Sequence, residues 1–322
     1  MTTAGFSKCG FTLLCTFFTA TTATAQVVMP PMNMGGTSFN DGVAGPGVLI
    51  EPGVIEYFHA SRFVDAHGAT IPGHNTVNAW ANLLHVGYVT TRHVLGGFWG
   101  VEFLVPVASI DVNTAFGPKG KASGLGDIVV SPLIIEWPDR KLFGKTYFSR
   151  FSILGVLPTG AYDSERAINV GSNAGSLFAY YSFTIMPRPG LETSWRVNYL
   201  WNAQNTRPFA PLATPSTQAG QAVHGNFAIS YAMTPSLRVG VNGYALQQVS
   251  EHRMGAGTVS GSKERVVAIG PGLAWSSGFW SAFANVDFET LARNRPVGQR
   301  MNVTLRRVFP HKPPNTKIAR TY

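Results

Sequence analysis

The chain has 322 residues, of which only 13% are charged, and its formal net charge is +9. Lys and Arg are scattered rather than clustered, so the basic balance does not indicate a nucleic-acid partner. Both cysteines, Cys9 and Cys15, lie in the first 25 residues, so a chain cleaved after that point has no disulfide and no thiolate metal ligand.

The N-terminus has the layout of a cleavable export signal rather than a buried N-terminal helix. Lys8 precedes an apolar stretch at 10–20, and Ala23-Thr24-Ala25 supplies the small-residue cleavage pattern before Gln26. A lipid anchor on Cys15 would need a small residue just before it, and Leu14 is not small. We therefore predict a signal peptide at 1–25, whose removal with Lys8 lowers the net charge from +9 to +8.

Residues 26–52 are rich in Pro, Gly, Met and Asn and show no periodicity, which predicts an irregular segment. After the signal, the sequence contains no apolar run near the roughly 18 residues that a spanning helix needs. Without such a helix, a chain can span a membrane only as a closed β-barrel, which satisfies its backbone hydrogen bonds internally. The irregular segment is expected to be tolerated inside such a barrel as a plug or gate.

Residues 191–202 show the clearest two-residue alternation. Glu192, Arg196 and Asn198 fall on one phase, whereas Trp195 and Tyr199 fall on the other. The same reasoning predicts twelve strands, at 53–60, 79–89, 97–107, 125–137, 147–157, 175–185, 191–202, 221–232, 237–248, 263–275, 279–289 and 298–309.

The predicted connections alternate between short and long. Short turns follow the second, sixth, eighth and tenth strands, whereas the long, polar connections are near 61–78, 108–124, 158–174, 203–220 and 249–262. Outer-membrane barrels sort their loops in this way, with brief periplasmic turns and extended outer loops. We therefore predict an all-β fold: a transmembrane, antiparallel, up-and-down β-barrel of about 12 strands over 53–309. A basic tail, 310–322, would follow it, and the predicted location is the bacterial outer membrane.

The alternate strand positions that carry polar side chains are predicted to line the lumen and to form the solute path. The candidate residues of this path are Tyr180, Glu192, Arg196, Asn198, Asn202, Tyr244, Gln248, Asn285, Asp287 and Arg306. The same polar phase also contains Arg238, Asn242 and Asn302. Because acidic and basic groups both occur, cross-strand pairing inside a narrow pore is the alternative to substrate selection.

Asp127, Tyr162 and Asp163 fall at the outer ends of the fourth and fifth strands and are candidates for an extracellular entrance. The alternative is that their motifs only shape the loops, because Gly124 and Gly126 permit a bulge.

The sequence carries no catalytic constellation or standard metal-ligand spacing that we recognise, because its eight histidines are dispersed. We predict that the chain is not an enzyme and has no cofactor and no metal. Its expected partners are outer-membrane lipid and a small hydrophobic or aromatic solute.

Several motifs together resemble the outer-membrane proteins of the meta-pathway of phenol degradation family. The resemblance spans roughly 120–309 and rests on Gly124–Ile128 with Ser131–Leu133, Leu157–Asp163, Asn202 with Asn205-Thr206, Gly243-Tyr244 with Gln247, and Gly270-Pro271. It implies a barrel that takes up hydrophobic or aromatic small molecules. The chain departs from the family pattern in the loops at 169–173 and 205–209, which bear on substrate preference.

These observations predict an outer-membrane channel for passive uptake of small hydrophobic or aromatic compounds. A non-conducting barrel with a binding or structural role is the alternative, and an outer-membrane hydrolase comes third. The lumen separates the first two: a continuous path favours a channel, whereas filling by paired charges, Phe178, Tyr244 and Phe283 favours a closed barrel.

Overall fold

The computed structural model of the protein describes Val27, residues 29–37 and residues 39–311. The predicted signal peptide at 1–25 and all but the first two residues of the predicted tail lie outside these residues. The strands are β1 (Gly47–Val64), β2 (Thr76–Val94), β3 (Gly97–Asn113), β4 (Gly120–Leu125), β5 (Val129–Leu142), β6 (Lys145–Val156), β7 (Ser176–Arg188), β8 (Leu191–Asn202), β9 (Thr217–Gln218), β10 (Ala222–Ala232), β11 (Leu237–Gln248), β12 (His252–Met254), β13 (Gly257–Val259), β14 (Arg265–Ser277), β15 (Trp280–Arg293) and β16 (Arg295–Pro310).

The strands form a closed antiparallel barrel. β4 and β5 both pair with β3, one with each half of it, and so share a single position in the wall. The thirteen-stranded sheet therefore has twelve positions, and it closes on itself because β2 pairs with both β1 and β3. This confirms the predicted fold, and each of the twelve predicted strands coincides with one position in the wall.

The connections are sorted between the two ends of the barrel as predicted. Four of the turns at one end contain two residues each, and in two of these both residues have positive φ: Leu95 and Gly96 (51° and 77°), and Phe143 and Gly144 (49° and 74°). Such turns match the twist of the strands that they join. Gly47 pairs with Pro310, so the first and last strands of the barrel also begin and end at this short-turn end.

The opposite end carries the long connections. A small sheet of β9, β12 and β13 and a 3-10 turn at Ala210–Leu212 lie within two of them. We refer to this as the long-loop end. The part of the chain that the structure describes contains no helix long and apolar enough to cross a membrane.

Several strand boundaries differ from the prediction, and two of the larger differences have a clear cause. β1 begins at Gly47, six residues before the predicted start, and a register shift between Ile50 and Gly53 explains why the alternation was hidden. Pro52 in this bulge offers no N–H to the ladder. The predicted long connection at 108–124 shrinks to 114–119, since Asp111 and Lys121 belong to paired strands and form a 2.7 Å ion pair.

The two faces of the wall follow the predicted phases. On β8, Glu192, Arg196 and Asn198 are buried inside, whereas Trp195 and Tyr199 are exposed outside. Apolar and aromatic side chains dominate the exposed outer face, and polar and charged side chains occupy much of the buried inner face. This is the reverse of a soluble globular protein and matches the two-faced pattern of membrane barrels.

Candidate functional site in the barrel lumen

The predicted path residues all point into the barrel, and all except Arg306, which is half-buried, are buried. Tyr180, Asn198 and Ser152 occupy neighbouring inner positions on three adjacent strands. Asn202 and Gln248 instead bond to nearby backbone carbonyls at the long-loop end. The structure thus brings most of the predicted set to one inner surface and leaves two of its members at the rim.

Residues 29–46, of which residue 38 is not described, run through this lumen and are called the N-terminal segment. At mid-height, the Gly35 N–H donates to the Asn226 side chain (2.9 Å), and the Gly35 carbonyl accepts from Asn285 Nδ2 (3.1 Å). Nearer the short-turn end, the Gly42 N–H donates to Thr184 Oγ1 (2.9 Å) and the Ala44 N–H to Glu136 Oε1 (3.2 Å). The segment is therefore held by side chains of the wall and forms no strand with it.

Gly35 shows how closely the segment fits. Its φ is +76°, and a Cβ at this position would lie 3.2 Å from both the Asn302 amide nitrogen and the Tyr244 ring, and closer still to the Asp287 carboxylate. A side chain here would be strained by the backbone and would also clash with the wall.

Asp41 makes the most heavily charged contact between the segment and the wall. Its carboxylate accepts from Arg196 Nε (2.8 Å) and Nη2 (2.6 Å) in a two-pronged arrangement. Arg150 Nη2 reaches the Asp41 carbonyl oxygen at 2.9 Å and the carboxylate at 3.4 Å. Paired planar contacts of this kind are among the stronger polar interactions in proteins.

Other charges of the lumen pair within the wall. His85 lies between Glu51 (2.6 Å) and Glu102 (3.0 Å), and Arg306 Nε donates to Glu51 (2.6 Å). Further pairs join Arg295 to Glu289 and Glu264, and Arg300 to Glu56. The cross-strand charge pairs that we named as the alternative to substrate selection are therefore present on the inner face.

An apolar layer lines the lumen towards the long-loop end. Its wall includes Phe178, Leu200 and Leu246, and from the segment Met29 and Met34 are buried against it. Met32 packs against the same cluster. The lumen thus changes from charged to apolar along its axis.

Two small gaps lie beside the N-terminal segment. One of these gaps, next to Phe39, Phe283 and Arg306, has a volume of about 10 Å³. This is close to the volume that a single water molecule needs. Phe178 and Tyr244 are also buried on the inner face.

The three predicted entrance residues serve different contacts. Asp127 is buried, and its carboxylate accepts hydrogen bonds from the Gly160 N–H (2.8 Å) and from the N–H (2.8 Å) and hydroxyl of Ser172. Tyr162 donates to the Arg207 carbonyl (2.7 Å), which joins two long loops. Asp163 is exposed and pairs with Arg166. The contacts of Asp127 and Tyr162 therefore join loop segments to one another. This is the alternative to a solute entrance that we named for these motifs.

His252 makes one long loop sensitive to acid. Burial lowers its pKa to about 4, and its Nδ1 accepts a hydrogen bond from the Gly220 N–H (3.0 Å). Because the folded pKa lies below the ordinary value of 6.5, the stabilisation is complete above pH 6.5 and is lost as the pH falls towards 4. We expect the loop to lose up to about 1.4 kcal/mol per pH unit in this window.

Amide hydrogen exchange in the loop at pH 7.5, 6.0 and 5.0, corrected for intrinsic rates, measures this loss. His252→Asn keeps a side-chain acceptor for Gly220 without a titrating proton, so its opening should not vary over this range. The same pH dependence in both proteins would contradict the assignment. Glu251 does not interfere, because hydrogen bonds from Ser262 help to lower its pKa below 4.5 although burial alone would raise it.

Sequence reasoning did not single out Asp41, Glu136, Arg150 and Ser182. Asp41 lies in a segment without periodicity, and Arg150 lies on a strand whose inner phase also carries Phe148 and Leu154. The strand register supplies the missing signal, since Arg150 and Arg196 both lie opposite Ser182.

Comparison with solved structures reveals similarities in fold. An outer membrane channel from Pseudomonas putida F1 superimposes with a TM-score of 0.71 at 14% identity, covering 83% of this chain and 97% of that one. The β domain of a Bordetella autotransporter gives 0.44 at 12% identity, with coverages of 83% and 100%. The translocator domain of an autotransporter from Neisseria meningitidis gives 0.43 at 10% identity, with coverages of 83% and 90%.

A search of curated protein sequences gave no match. The sequence profile of the family described as MetA-pathway of phenol degradation matches residues 60–305. This match covers most of the barrel and confirms the resemblance seen in the sequence. The fold is that of outer-membrane channels, and the chain belongs to the MetA-pathway of phenol degradation family.

Proposed function

We propose that the protein is a passive channel of the bacterial outer membrane for small hydrophobic or aromatic compounds, and that the N-terminal segment is its gate. Family membership and the channel fold support the general role. The exposed apolar belt supports insertion in lipid. Diffusion down a gradient would drive uptake.

The observation that carries this proposal is the way the segment is attached. It is continuous with the wall only at Gly47, and along its length it contacts inner side chains through hydrogen bonds, the Asp41 ion pairs and methionine packing. No ladder of backbone hydrogen bonds with the wall holds it, in the part of the chain that the structure describes. Release of the segment therefore leaves the barrel sheet intact and opens the lumen.

The sorted loops give the proposed orientation. Short turns face the periplasm in outer-membrane barrels, and here Gly47 and Pro310 lie at the short-turn end. The segment would thus enter the lumen from the periplasmic side, with its methionines towards the long outer loops. A solute from outside would first meet the apolar layer and then the charged zone.

Removal of the gate is the direct test. In planar bilayers, we expect the mature protein lacking residues 27–45 to conduct at least about tenfold more than the complete mature protein, because the deletion removes the occupant of the lumen and leaves the barrel strands in place. Liposome swelling with solutes of graded size measures the opening independently.

Gly45→Ala is the matched control, since a Cβ at Gly45 meets nothing within 4 Å and leaves the segment in place. It should behave as the complete protein does. If the deletion variant remains silent while its heat-modifiable gel migration shows a folded barrel, the channel proposal fails.

The alternative, a non-conducting barrel with a binding or structural role, is favoured by one observation: the inner charges pair within the wall as well as with the segment. These pairs join neighbouring strands and would remain on the inner face after the deletion. A folded but silent deletion variant would support this role instead.

A further inference from the structure

A row of polar side chains crosses the inner wall beside Asp41. Backbone pairing places Glu136 opposite Arg150, Arg150 opposite Ser182, and Ser182 opposite Arg196, on four adjacent strands. We call these four residues the arginine row. Neighbouring strands are about 4.8 Å apart, so the two arginines reach one point from either side of Ser182.

Asp41 occupies that point as a ligand. The Arg196 fork binds both of its carboxylate oxygens, and the Asp41 N–H donates to Ser194 Oγ (3.3 Å). A guanidinium fork fits any carboxylate in the same way, whatever molecule carries it. Asp41 belongs to the detachable segment, whereas all four members of the arginine row belong to the wall.

The row retains binding capacity that Asp41 does not use. Ser182 is completely buried, and neither its hydroxyl nor Arg150 Nε has a hydrogen-bond partner among the described residues. Glu136 Oε2, also without such a partner, lies 4.0 Å from Arg150 Nε. Without Asp41, the two guanidiniums of the row face the Glu136 carboxylate, and the nearby Glu102 carboxylate is already paired with His85 (3.0 Å). The row itself thus keeps a surplus of one positive charge, which suits a monoanion.

The surroundings define the rest of the ligand. On β7, the inner positions after Ser182 towards the long-loop end are Tyr180 and then Phe178, each about 6.6 Å further along the strand. The Tyr180 ring lies 4.1 Å from the Arg196 guanidinium, and Phe178 belongs to the apolar layer. A carboxylate at the row thus places the next several ångströms of a ligand among aromatic and aliphatic side chains.

The N-terminal segment itself presents this chemistry, since it brings Asp41 to the row and Met29 and Met34 to the apolar layer. We propose that Arg150, Ser182 and Arg196 form a binding site for a monocarboxylate with an apolar or aromatic body, and that such a ligand opens the lumen by displacing Asp41. This inference rests on the proposed channel function and narrows its substrate class to organic acids.

Binding and release are measured separately from conduction. Benzoate is the probe, and benzyl alcohol is its neutral counterpart of similar size. In calorimetry on the mature protein in detergent, Asp41→Asn should bind benzoate about ten- to hundredfold more tightly than the unmodified protein, because the charged competitor is removed. Benzyl alcohol affinity should be the same in both.

Release is followed at Met34, which is buried in the apolar layer. In a mature Met34→Cys protein, benzoate should accelerate thiol labelling by a polar maleimide about tenfold or more, and benzyl alcohol should not. Adding Arg196→Gln should abolish the benzoate effect, while gel migration checks that this variant folds. If it does not fold, the Asp41→Asn comparison still decides.

Equal action of benzoate and benzyl alcohol, or unchanged benzoate affinity in Asp41→Asn, would overturn the carboxylate site. If benzoate binds and releases the segment but no variant conducts, the site stands and the channel function fails. If the deletion variant conducts but benzoate binding is independent of Asp41, the channel function stands and the site fails.

Discussion

Val197→Arg should lower the free energy of unfolding in a phospholipid bilayer by about 2–4 kcal/mol. Val197 is 53% exposed at the middle of β8, on the phase that carries Trp195 and Tyr199. If this face meets hydrocarbon, an arginine there must leave water or distort the bilayer around it. Equilibrium unfolding by urea or guanidinium in lipid vesicles, followed by tryptophan fluorescence, measures the cost.

Met233→Arg is the control for depth. Met233 is 60% exposed but belongs to the turn between β10 and β11, at the short-turn end. The same substitution there should cost about 0–1 kcal/mol, since the guanidinium reaches the interface. Equal costs at the two positions would contradict the assignment of the outer face to lipid.

Gly298→Ala should destabilise the barrel at its closing pair of strands by about 1–3 kcal/mol. A Cβ at Gly298 would overlap the His59 carbonyl oxygen and lie 2.7 Å from the Ala60 Cα across the β1–β16 pair. Backbone atoms of a paired strand cannot give way as a flexible side chain does. The temperature at which the compact, heat-modifiable form disappears from gels should therefore fall.

Gly155→Ala separates this clash from the general effect of replacing a strand glycine. A Cβ at Gly155 on β6 comes no closer to other residues than 4.0 Å, from Val130 Cγ2. Its unfolding temperature should stay the same or rise slightly, because alanine reduces the freedom of the unfolded chain. A loss as large as that of Gly298→Ala would exclude the steric explanation.

The wall of this barrel could be predicted because each strand is a local pattern. Residues 191–202 alternate without interruption, and the structure gives β8 the predicted bounds and faces. The pattern failed where the pairing is irregular: at Pro52, and at Pro132 on β5, register shifts break the alternation. A period of two cannot be read across such a bulge.

The contents of the lumen could not be predicted in the same way. Asp41 contacts Arg196 across a separation of 155 residues. The local sequence around either residue does not indicate that the other is its partner. The alternation on β8 predicted that Arg196 faces the lumen. The partner of Arg196 depends on the path of the N-terminal segment through the barrel. Whether a buried arginine selects a solute or serves an internal ion pair depends on that path.

The covalent link between the N-terminal segment and β1 at Gly47 has a kinetic consequence. The stretch from residue 29 to residue 45 can extend to about 56 Å, more than the roughly 25 Å height of an apolar membrane band, so a detached segment can leave the lumen without unfolding β1. Its tether still keeps Asp41 near the arginine row, at an effective concentration on the order of 1 mM. The gate that we propose would therefore close again by itself when its ligand departs, without an energy source or a second protein.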